Sequence, residues 1–197
     1  MTSHETGDAA VQQTLRALDP EVWLLTSAAD HERGGLICTS VMNASIVPDM
    51  PRIVVGLARQ HRTWQLVDAS GRFVLHLLRA DQIELVRRFG MQSQRDVDKF
   101  AELEVGRSPE GCPVLRDVAG WLECRVESGL DAGDRTHFLA EVTNGSPPAA
   151  DIALLRMQGL LTTAPDEMRA ELKRQLERDG AIDRQAISAW RAAHRTG

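Results

Sequence analysis

The stretch that decides the fold is residues 35–63, which read GLICTSVMNASIVPDMPRIVVGLARQHRT. Two segments in it, Leu36–Val41 and Arg52–Leu57, are apolar and rich in β-branched residues, so both are predicted as strands. Small and polar residues with two prolines lie between them and indicate a loop. A helix is predicted to follow over His61–Ala69. The rest of the chain extends outward from this strand–loop–strand–helix unit.

Further strands are predicted on both sides of the unit. They are Val22–Ser27, Phe73–Leu78, Gly120–Ser128 and Thr136–Thr143. The last two flank a tight turn at residues 131–134 and therefore form a hairpin. Residues 90–118 are expected to be irregular. Six strands at this turn spacing predict an α+β protein whose six-stranded antiparallel sheet forms a barrel.

Helices are predicted beside the sheet and at the end of the chain. They are Asp8–Leu18, Asp81–Phe89, Pro165–Arg178 and Asp183–His194. Gly180 is interpreted as the stop between the last two helices, and Thr163 with Asp166 as a capping box. We therefore divide the chain into a barrel domain over residues 1–150 and a helical extension over residues 151–197, packed on the barrel or on a dimer partner.

The composition limits the classes of partner. The chain has 197 residues, a net charge of −5, no tyrosine and three cysteines. An acidic chain has no excess of cations to displace phosphate counterions, which argues against nucleic-acid binding. The apolar runs are strand-length, the first residues lack a signal-peptide pattern, and the cysteines lack metal-ligand spacing. We expect a cytoplasmic protein without metal, nucleic acid or membrane contacts, and tyrosine is excluded as a catalytic acid.

Two short polar segments are the candidate functional site. Thr39, Ser40, Asn43 and Ser45 lie in and just after a predicted strand, where hydroxyl and amide groups have small neighbours. Gln60–Thr63 opens a helix, and a helix start with arginine and threonine is a natural anion site. Together they suit a phosphorylated planar cofactor. Spacing alone favours the alternative, in which these are ordinary strand residues and the arginine is solvated.

The order of motifs from Val22 to Val142 resembles the flavin reductase-like family of FMN-binding split barrels. Each motif is weak by itself, and their shared order carries the resemblance. The matching segments are Val22–Ser27, Gly35–Ser45, Pro51–Leu57, Gln60–Thr63, Ser70–Leu78, Asp98–Phe100 and Gly133–Val142. They cover roughly three-fifths of the chain. The resemblance implies a Greek-key split barrel with peripheral helices, and FMN, or FAD, held at a homodimer interface.

The resemblance also implies which residues hold the flavin. The implied cofactor-binding residues are Cys38, Thr39, Ser40, Asn43, Ala44, Ser45, Gln60, His61, Arg62, Thr63, His76, Lys99 and Phe100. Thr39 to Ser45 would meet the ring and ribityl chain, and Arg62 with Thr63 would hold the phosphate. Lys99 and Phe100 would close the pocket, with the partner subunit as one source. His76 stands where the family has asparagine, and a buried, hydrogen-bonded histidine is the equal alternative.

The implied reaction is hydride transfer from NAD(P)H to flavin, with the flavin carrying the chemistry. Arg135 stands where the family has histidine, and His137 follows two residues later on the same strand face. Both are candidates at the nicotinamide side, Arg135 as a phosphate clamp. The loop Val47–Met50 is longer than the family's turn, so the substrate side is expected to differ.

The leading interpretation is therefore an NAD(P)H:flavin oxidoreductase that acts as a homodimer, with a separate monooxygenase component as a candidate partner. One alternative is a flavin-binding electron-transfer or sensor protein without NAD(P)H oxidation, which the Arg135 departure favours. The other is a barrel that has lost flavin and serves as an interaction module.

Overall fold

The computed structural model describes residues 3–92 and 97–194, with side chains from residue 9 onward. The helices are α1 (Ser3–Arg16), α2 (Arg62–Ser70), α3 (Ile83–Val86), α4 (Met157–Thr163) and α5 (Asp166–Ala193), with a π-helical turn, Arg87–Met91, after α3. The strands are β1 (Trp23–Ala29), β2 (Glu32–Cys38), β3 (Val41–Asn43), β4 (Arg52–Ala58), β5 (Arg72–Leu77), β6 (Val105–Arg107), β7 (Pro113–Leu115), β8 (Gly120–Asp131) and β9 (Arg135–Ser146). Within these residues, no helix is long and apolar enough to cross a bilayer.

Seven strands form one antiparallel sheet in the order β2-β1-β5-β8-β9-β4-β3, and β6 and β7 form a separate hairpin. The two edge strands of the large sheet, β2 and β3, are separated in the chain only by Thr39 and Ser40. Three Cα–Cα steps of about 3.8 Å therefore limit the gap between Cys38 and Val41 to about 11 Å. The sheet must curl for its edges to approach this closely, and it forms an open barrel.

The inside of the curled sheet is a continuous apolar core. Its buried members are Leu25, Leu36, Cys38, Ile53, Val55, Leu57, Val67, Phe73, Leu75, Cys124, Phe138 and Ala140. Side chains alternate across each strand, so β9 buries every second residue from Thr136 to Ala140. Helix α2 contributes Val67 to this core and packs on β1 and β2.

A second apolar core lies on the outer side of β1. It is built from Val22, Leu24, Leu78, Val86, Phe89, Phe100, Leu115, Leu155, Leu160, Ala164 and Met168. Helices α3 and α4 and the first turn of α5 supply much of it. The backbone N–H of Leu155 donates to the carbonyl of Leu78 at 2.9 Å. The division of the chain at residue 150 stays a prediction.

The antiparallel α+β architecture was predicted correctly, but the strand count was not. The predicted strand Leu36–Val41 is two strands, because the chain leaves one sheet edge after Cys38 and joins the other at Val41. The region expected to be irregular, residues 90–118, contains the β6–β7 hairpin. Over residues 3–92 and 97–194, nine strands therefore replace the predicted six, and seven of them form the open barrel.

The C-terminal helices also differ from the prediction. Helix α5 continues through Gly180, so the expected stop is wrong. A mid-helix glycine costs about 1 kcal/mol relative to alanine, which a 28-residue helix with Arg174 and Arg178 both paired to Glu171 can offset. The capping box is absent as well, because the Thr163 hydroxyl lies in α4 and donates to the carbonyl of Gly159.

Candidate functional site

The bent strand pair β2–β3 leaves an opening in the barrel. β2 pairs with β1 and β3 pairs with β4, so one long strand changes partner at Thr39–Ser40. Beyond that point, in the described sheet, the outer edge of β2 has no neighbouring strand. Gly56–Ala58 of β4 pair with β9 on one side and have no strand on the other. Helix α2 begins between them, since it follows β4 closely and Arg62 pairs with Glu32 of β2. We call this opening the slit.

At the end of the slit next to β3, three chain segments lie close together, at Ser40, Gly56 of β4 and His137 of β9. The N–H of Gly56 donates to the carbonyl of Ser40 at 2.8 Å. A Cβ atom at Gly56 would lie 3.1 Å from the His137 ring and 3.2 Å from the Ser40 Cβ atom. Only a residue without a side chain fits there easily. The sequence-predicted residues Thr39, Ser40 and His137 are therefore brought together.

The start of α2 has an open first turn. His61 precedes its first turn in an extended conformation, and among the described residues no side chain caps the helix and no acidic residue stands in its first turn. The leading N–H groups of a helix have no partner within it and carry its positive dipole end. Thr63 is buried and Arg62 half-exposed, with its guanidinium on Glu32 and Gln65. Gln60 precedes them on the surface.

The polar edge of β3 continues away from the slit. Asn43 pairs with Ile53 at the beginning of β4, so at about 3.4 Å per residue it lies roughly 17 Å along the strand from Ala58. Asn43 Oδ1 accepts from the N–H of Ser45 at 3.3 Å, and Ala44 between them is exposed. A ligand reaching from this edge to the start of α2 must be elongated, with its anionic group at one end.

Lys99 is a buried cation beside the slit. Its Nζ donates to the carbonyls of Phe89 at 3.0 Å and Gly35, in β2, at 3.4 Å. Burial lowers the pKa of Lys99 to about 8. No carboxylate pairs with it in the part of the chain that the structure describes. An ammonium has three donors, and two carbonyls leave one for another acceptor.

Arg135 lies on the same face of β9 as His137, as predicted, but its guanidinium is already engaged. It pairs with Asp134 beside it and with Asp183 of α5, the latter at 3.0 Å. Burial lowers the pKa of His61, Asp179 and Asp183 raise it, and Lys99 and Arg135 lower it. All four charged groups therefore lie within electrostatic range of His61, at the start of α2.

Three predicted cofactor residues lie away from any ligand surface. His76 is fully buried: its Nδ1 lies 3.0 Å from the carbonyl of Leu24, and its Nε2 accepts from the N–H of Leu115 at 3.1 Å. This is the arrangement of the buried, hydrogen-bonded histidine that was given as the equal alternative, and the flavin contact of His76 stays a prediction. Cys38 points into the barrel core, where burial raises its thiol pKa to about 12.

Phe100 is the third of these residues. It is buried in the second core and meets Phe89 edge-on, with ring centroids 5.2 Å apart. Within one chain, Phe100 supports the loop that carries Lys99 and does not close a pocket. Arg33 lies over its other side, 4.6 Å from the ring centroid.

Two functional candidates escaped the sequence analysis. The sequence spacing predicts an apolar stripe of Met168, Leu172 and Leu176 on helix α5. Leu176 is exposed, however, and the inner stripe continues with Asp179 and Asp183. The available signal was the change from apolar to acidic residues at spacings of three to four along one face. An acidic inner stripe on a surface helix indicates cations beneath it.

The slit is an open surface. Two cavities, of about 350 and 430 Å³, lie beside the β6–β7 hairpin, and neither is lined by residues 39–45 or 60–63. Across residues 3–92 and 97–194, no group of three or more His, Cys, Asp or Glu side chains could hold a metal ion. The strand edge, the helix start and the nearby cations are the groups that the slit offers to a ligand.

An open antiparallel barrel with a polar strand edge and an uncapped helix start is the architecture of the split-barrel flavoproteins. A family model described as the flavin reductase like domain matches residues 15–163. The chain belongs to the flavin reductase-like family.

Individual relatives agree with this assignment. The reductase subunit HsaB of a flavin-dependent monooxygenase from Rhodococcus jostii is 29% identical over 189 residues, covering 87% of this chain and 93% of the relative. The stachydrine N-demethylase reductase subunit Stc3 of Rhizobium meliloti is 27% identical over 68% of this chain, which spans about half of that relative's length (56%). A flavin reductase domain protein of Arthrobacter superposes with a TM-score of 0.63 at 25% identity, over 72% of this chain and 86% of that one.

Proposed function

We propose that the protein is a flavin reductase that transfers hydride from NAD(P)H to FMN held at the slit. The observation that carries the proposal is the uncapped start of α2 beside the polar edge of β3. An elongated molecule with a planar ring at one end and a phosphate at the other matches both. When bound, the flavin supplies the hydride-accepting chemistry.

The residues of this chain divide the work of binding. The leading N–H groups of α2, with Arg62 and Thr63, would hold the phosphate, and Lys99 would add a buried positive charge. The ring and the ribityl chain would lie along the edge of β3. The polar or small residues in β3 and on either side of it are Thr39, Ser40, Asn43, Ala44 and Ser45. FAD carries the same ring, ribityl chain and first phosphate, so it remains the alternative flavin.

The nicotinamide would approach beside His137, which contacts the Ser40–Gly56 junction. His137 is half-exposed there and free to meet a second ligand. Arg135 is poorly placed as a clamp for the NAD(P)H phosphate, because Asp134 and Asp183 neutralise it. This engagement favours a second candidate function, a flavin-binding electron-transfer protein without NAD(P)H oxidation.

We also propose a homodimer. Large apolar side chains are exposed on and beside β3 and at the end of β8, where Met42 is 63%, Ile46 99%, Met50 61% and Leu130 67% accessible. Large exposed apolar surface often marks an interface. A second copy of the chain would cover these side chains and close the open side of the slit. Light scattering should give twice the mass of the chain, and a monomer with flavin still bound would contradict the proposal.

The proposed partner of the reduced flavin is a separate monooxygenase component, as the names of the Rhodococcus and Rhizobium relatives suggest. A cytoplasmic setting is proposed from the three free thiols, all buried. Thiols that form no disulfide suit a reducing compartment.

The experiment that tests the proposed function has two parts. Flavin released from the purified protein should be identified, and oxidation of NADH and NADPH should be followed with saturating FMN. Bound flavin with rapid oxidation supports the reductase. Bound flavin without oxidation selects the electron-transfer candidate, and absence of flavin binding overturns both.

A further inference from the structure

We propose that the segment Gln175–Trp190 of α5, called here the strap, holds two carboxylates beside the start of α2 and thereby opposes binding of the flavin phosphate at the slit. In this arrangement Asp179 and Asp183 supply the negative charge near the start of α2 that the phosphate would otherwise supply. The inference rests on the proposed function, because it concerns the same flavin site.

The strap is held against the body of the protein at three places. The Gln175 side-chain amide donates to the carbonyl of Gly90 at 2.9 Å. Asp183 accepts from Arg135 at 3.0 Å. Trp190 packs on the turn before β9, where a Cβ at Gly133 would lie 2.6 Å from the Trp190 Cβ. At about 1.5 Å per residue these contacts spread over roughly 22 Å of helix.

The inner stripe of α5 changes character where it reaches the slit. Met168 is buried in the second core and Leu172 packs against it. Asp179 and Asp183, further along the same stripe, are half-buried carboxylates. Partial burial of a carboxylate is costly unless a cation compensates it. Arg135 compensates Asp183 directly, and both carboxylates lie within electrostatic range of His61 at the start of α2.

A phosphate at the start of α2 would lie close to these two carboxylates, because both of them act on His61, the residue before the helix. Two carboxylates nearby repel a dianion strongly, because the region is partly desolvated and the interaction is not fully screened. The phosphate can bind tightly only if the outer part of the strap moves or if its charge is removed. Gly180 lies between the two carboxylates, no neighbouring atom among the described residues lies within 4 Å of its Cβ position, and glycine is the weakest helix former apart from proline.

This competition has a functional consequence. A carboxylate strap that weakens phosphate binding makes flavin an exchangeable substrate instead of a permanently held group. Exchange is what a reductase needs if its reduced flavin is consumed elsewhere. The strap therefore sets flavin affinity through the phosphate and leaves the ring contacts at β3 unaffected.

Binding of FMN and of riboflavin, which lacks the phosphate, tests the proposal in the full-length chain. The variants are Asp179→Asn, Asp183→Asn and their combination, with Glu177→Gln as the matched control because Glu177 is exposed on the same helix. Asp179 has no ion-pair partner among the described residues, so its variant should fold even if the Asp183 variant does not. Fluorescence titration gives the dissociation constants, and thermal melting confirms folding.

We expect Asp179→Asn to tighten FMN binding about tenfold, the double variant to tighten it further, and riboflavin and Glu177→Gln to change less than about twofold. Unchanged FMN affinity, equal shifts for both flavins, or weaker FMN binding would each overturn the strap. A wild-type protein that binds neither flavin would instead overturn the proposed function itself. Wild-type FMN binding with unresponsive variants leaves the proposed function intact and removes only the strap.

Discussion

His76 and His61 are both histidines whose pKa is lowered by burial, yet they lie in two regions built on different principles. Both ring nitrogens of His76 are bonded to backbone, those of Leu24 and Leu115, and its pKa falls to about 4. His61 lies among side-chain charges, of which Asp179 is the strongest. Backbone partners are fixed by the fold and cannot be exchanged for a ligand. Side-chain charges can be exchanged for the charges of a ligand, so the His61 region is suited to binding.

The largest expected effect comes from breaking the His76 region. His76→Ala should lower the free energy of unfolding by about 3–5 kcal/mol, since it leaves a cavity and two unpaired backbone groups. FMN affinity of the folded fraction should stay unchanged. Denaturant unfolding and fluorescence titration measure the two quantities separately.

His76→Asn is the control, because its amide can both donate and accept and should recover part of the stability. A stable His76→Ala protein that has lost flavin would reverse the assignment and make His76 a ligand residue.

The second prediction concerns acid. The folded protein holds His76 neutral down to a pKa of about 4, whereas an unfolded histidine titrates near its ordinary value of 6.5. Between these values the unfolded chain binds more protons, so the stability that His76 contributes is present above pH 6.5 and is lost as pH falls toward 4. The loss should approach about 3 kcal/mol, from about 1.4 kcal/mol per pH unit.

Unfolding measured at several pH values in wild type and His76→Asn isolates this contribution from that of the carboxylates. The difference between the two proteins should shrink as pH falls from 6.5 to 4. A constant difference would mean that His76 is not held neutral by its backbone partners.

The third prediction concerns the His61 region, at the start of α2. Arg62→Ala should weaken FMN binding by about 1.5–3 kcal/mol, the usual contribution of a charge-assisted hydrogen bond, and leave riboflavin binding unchanged. Arg62 must exchange Glu32 and Gln65 for the phosphate, so the lower end of the range is expected. Arg52→Ala is the matched control, since Arg52 pairs with Glu127 near the far end of β4. Equal weakening by both variants would sink the phosphate assignment.

The sequence predicted one of these regions better than the other. β4 and α2 were placed to within one residue, because strand propensity and the helix-ending Gly71 act locally. The role of His76 stayed open, since backbone partners 39 and 52 residues away leave no local trace. The pairing of Asp183 with Arg135 was missed for the same reason.

The change of partner at Thr39–Ser40 could not be read from the sequence either. β2 and β3 are nearly continuous along the chain, and their apolar pattern is the same whichever neighbour they pair with. The strand's partner is decided by the curl of the whole sheet. The strand count was wrong for that reason, while the antiparallel class was right.

The smallest expected effect tests whether the strap is mobile. Gly180 has open space around its Cβ position, so Gly180→Ala should stabilise the protein by up to about 1 kcal/mol through helix propensity alone. Gly159 of α4 has the same open surroundings and is the matched control. Both variants should melt at a slightly higher temperature than the wild type.

Flavin kinetics should separate the two glycines. If the part of α5 beyond Gly180 must bend away before the phosphate reaches α2, a stiffer helix keeps Asp183 beside Arg135 for longer, and stopped-flow association of FMN should slow in Gly180→Ala. Gly159→Ala should gain stability without slowing association, because α4 lies away from the slit in the second core. Riboflavin association should be unaffected in both, since it brings no phosphate to compete. Equal FMN association rates in the two variants would show that the carboxylates act from a rigid helix, and the difference between the His76 and His61 regions would then rest on exchangeable charge alone.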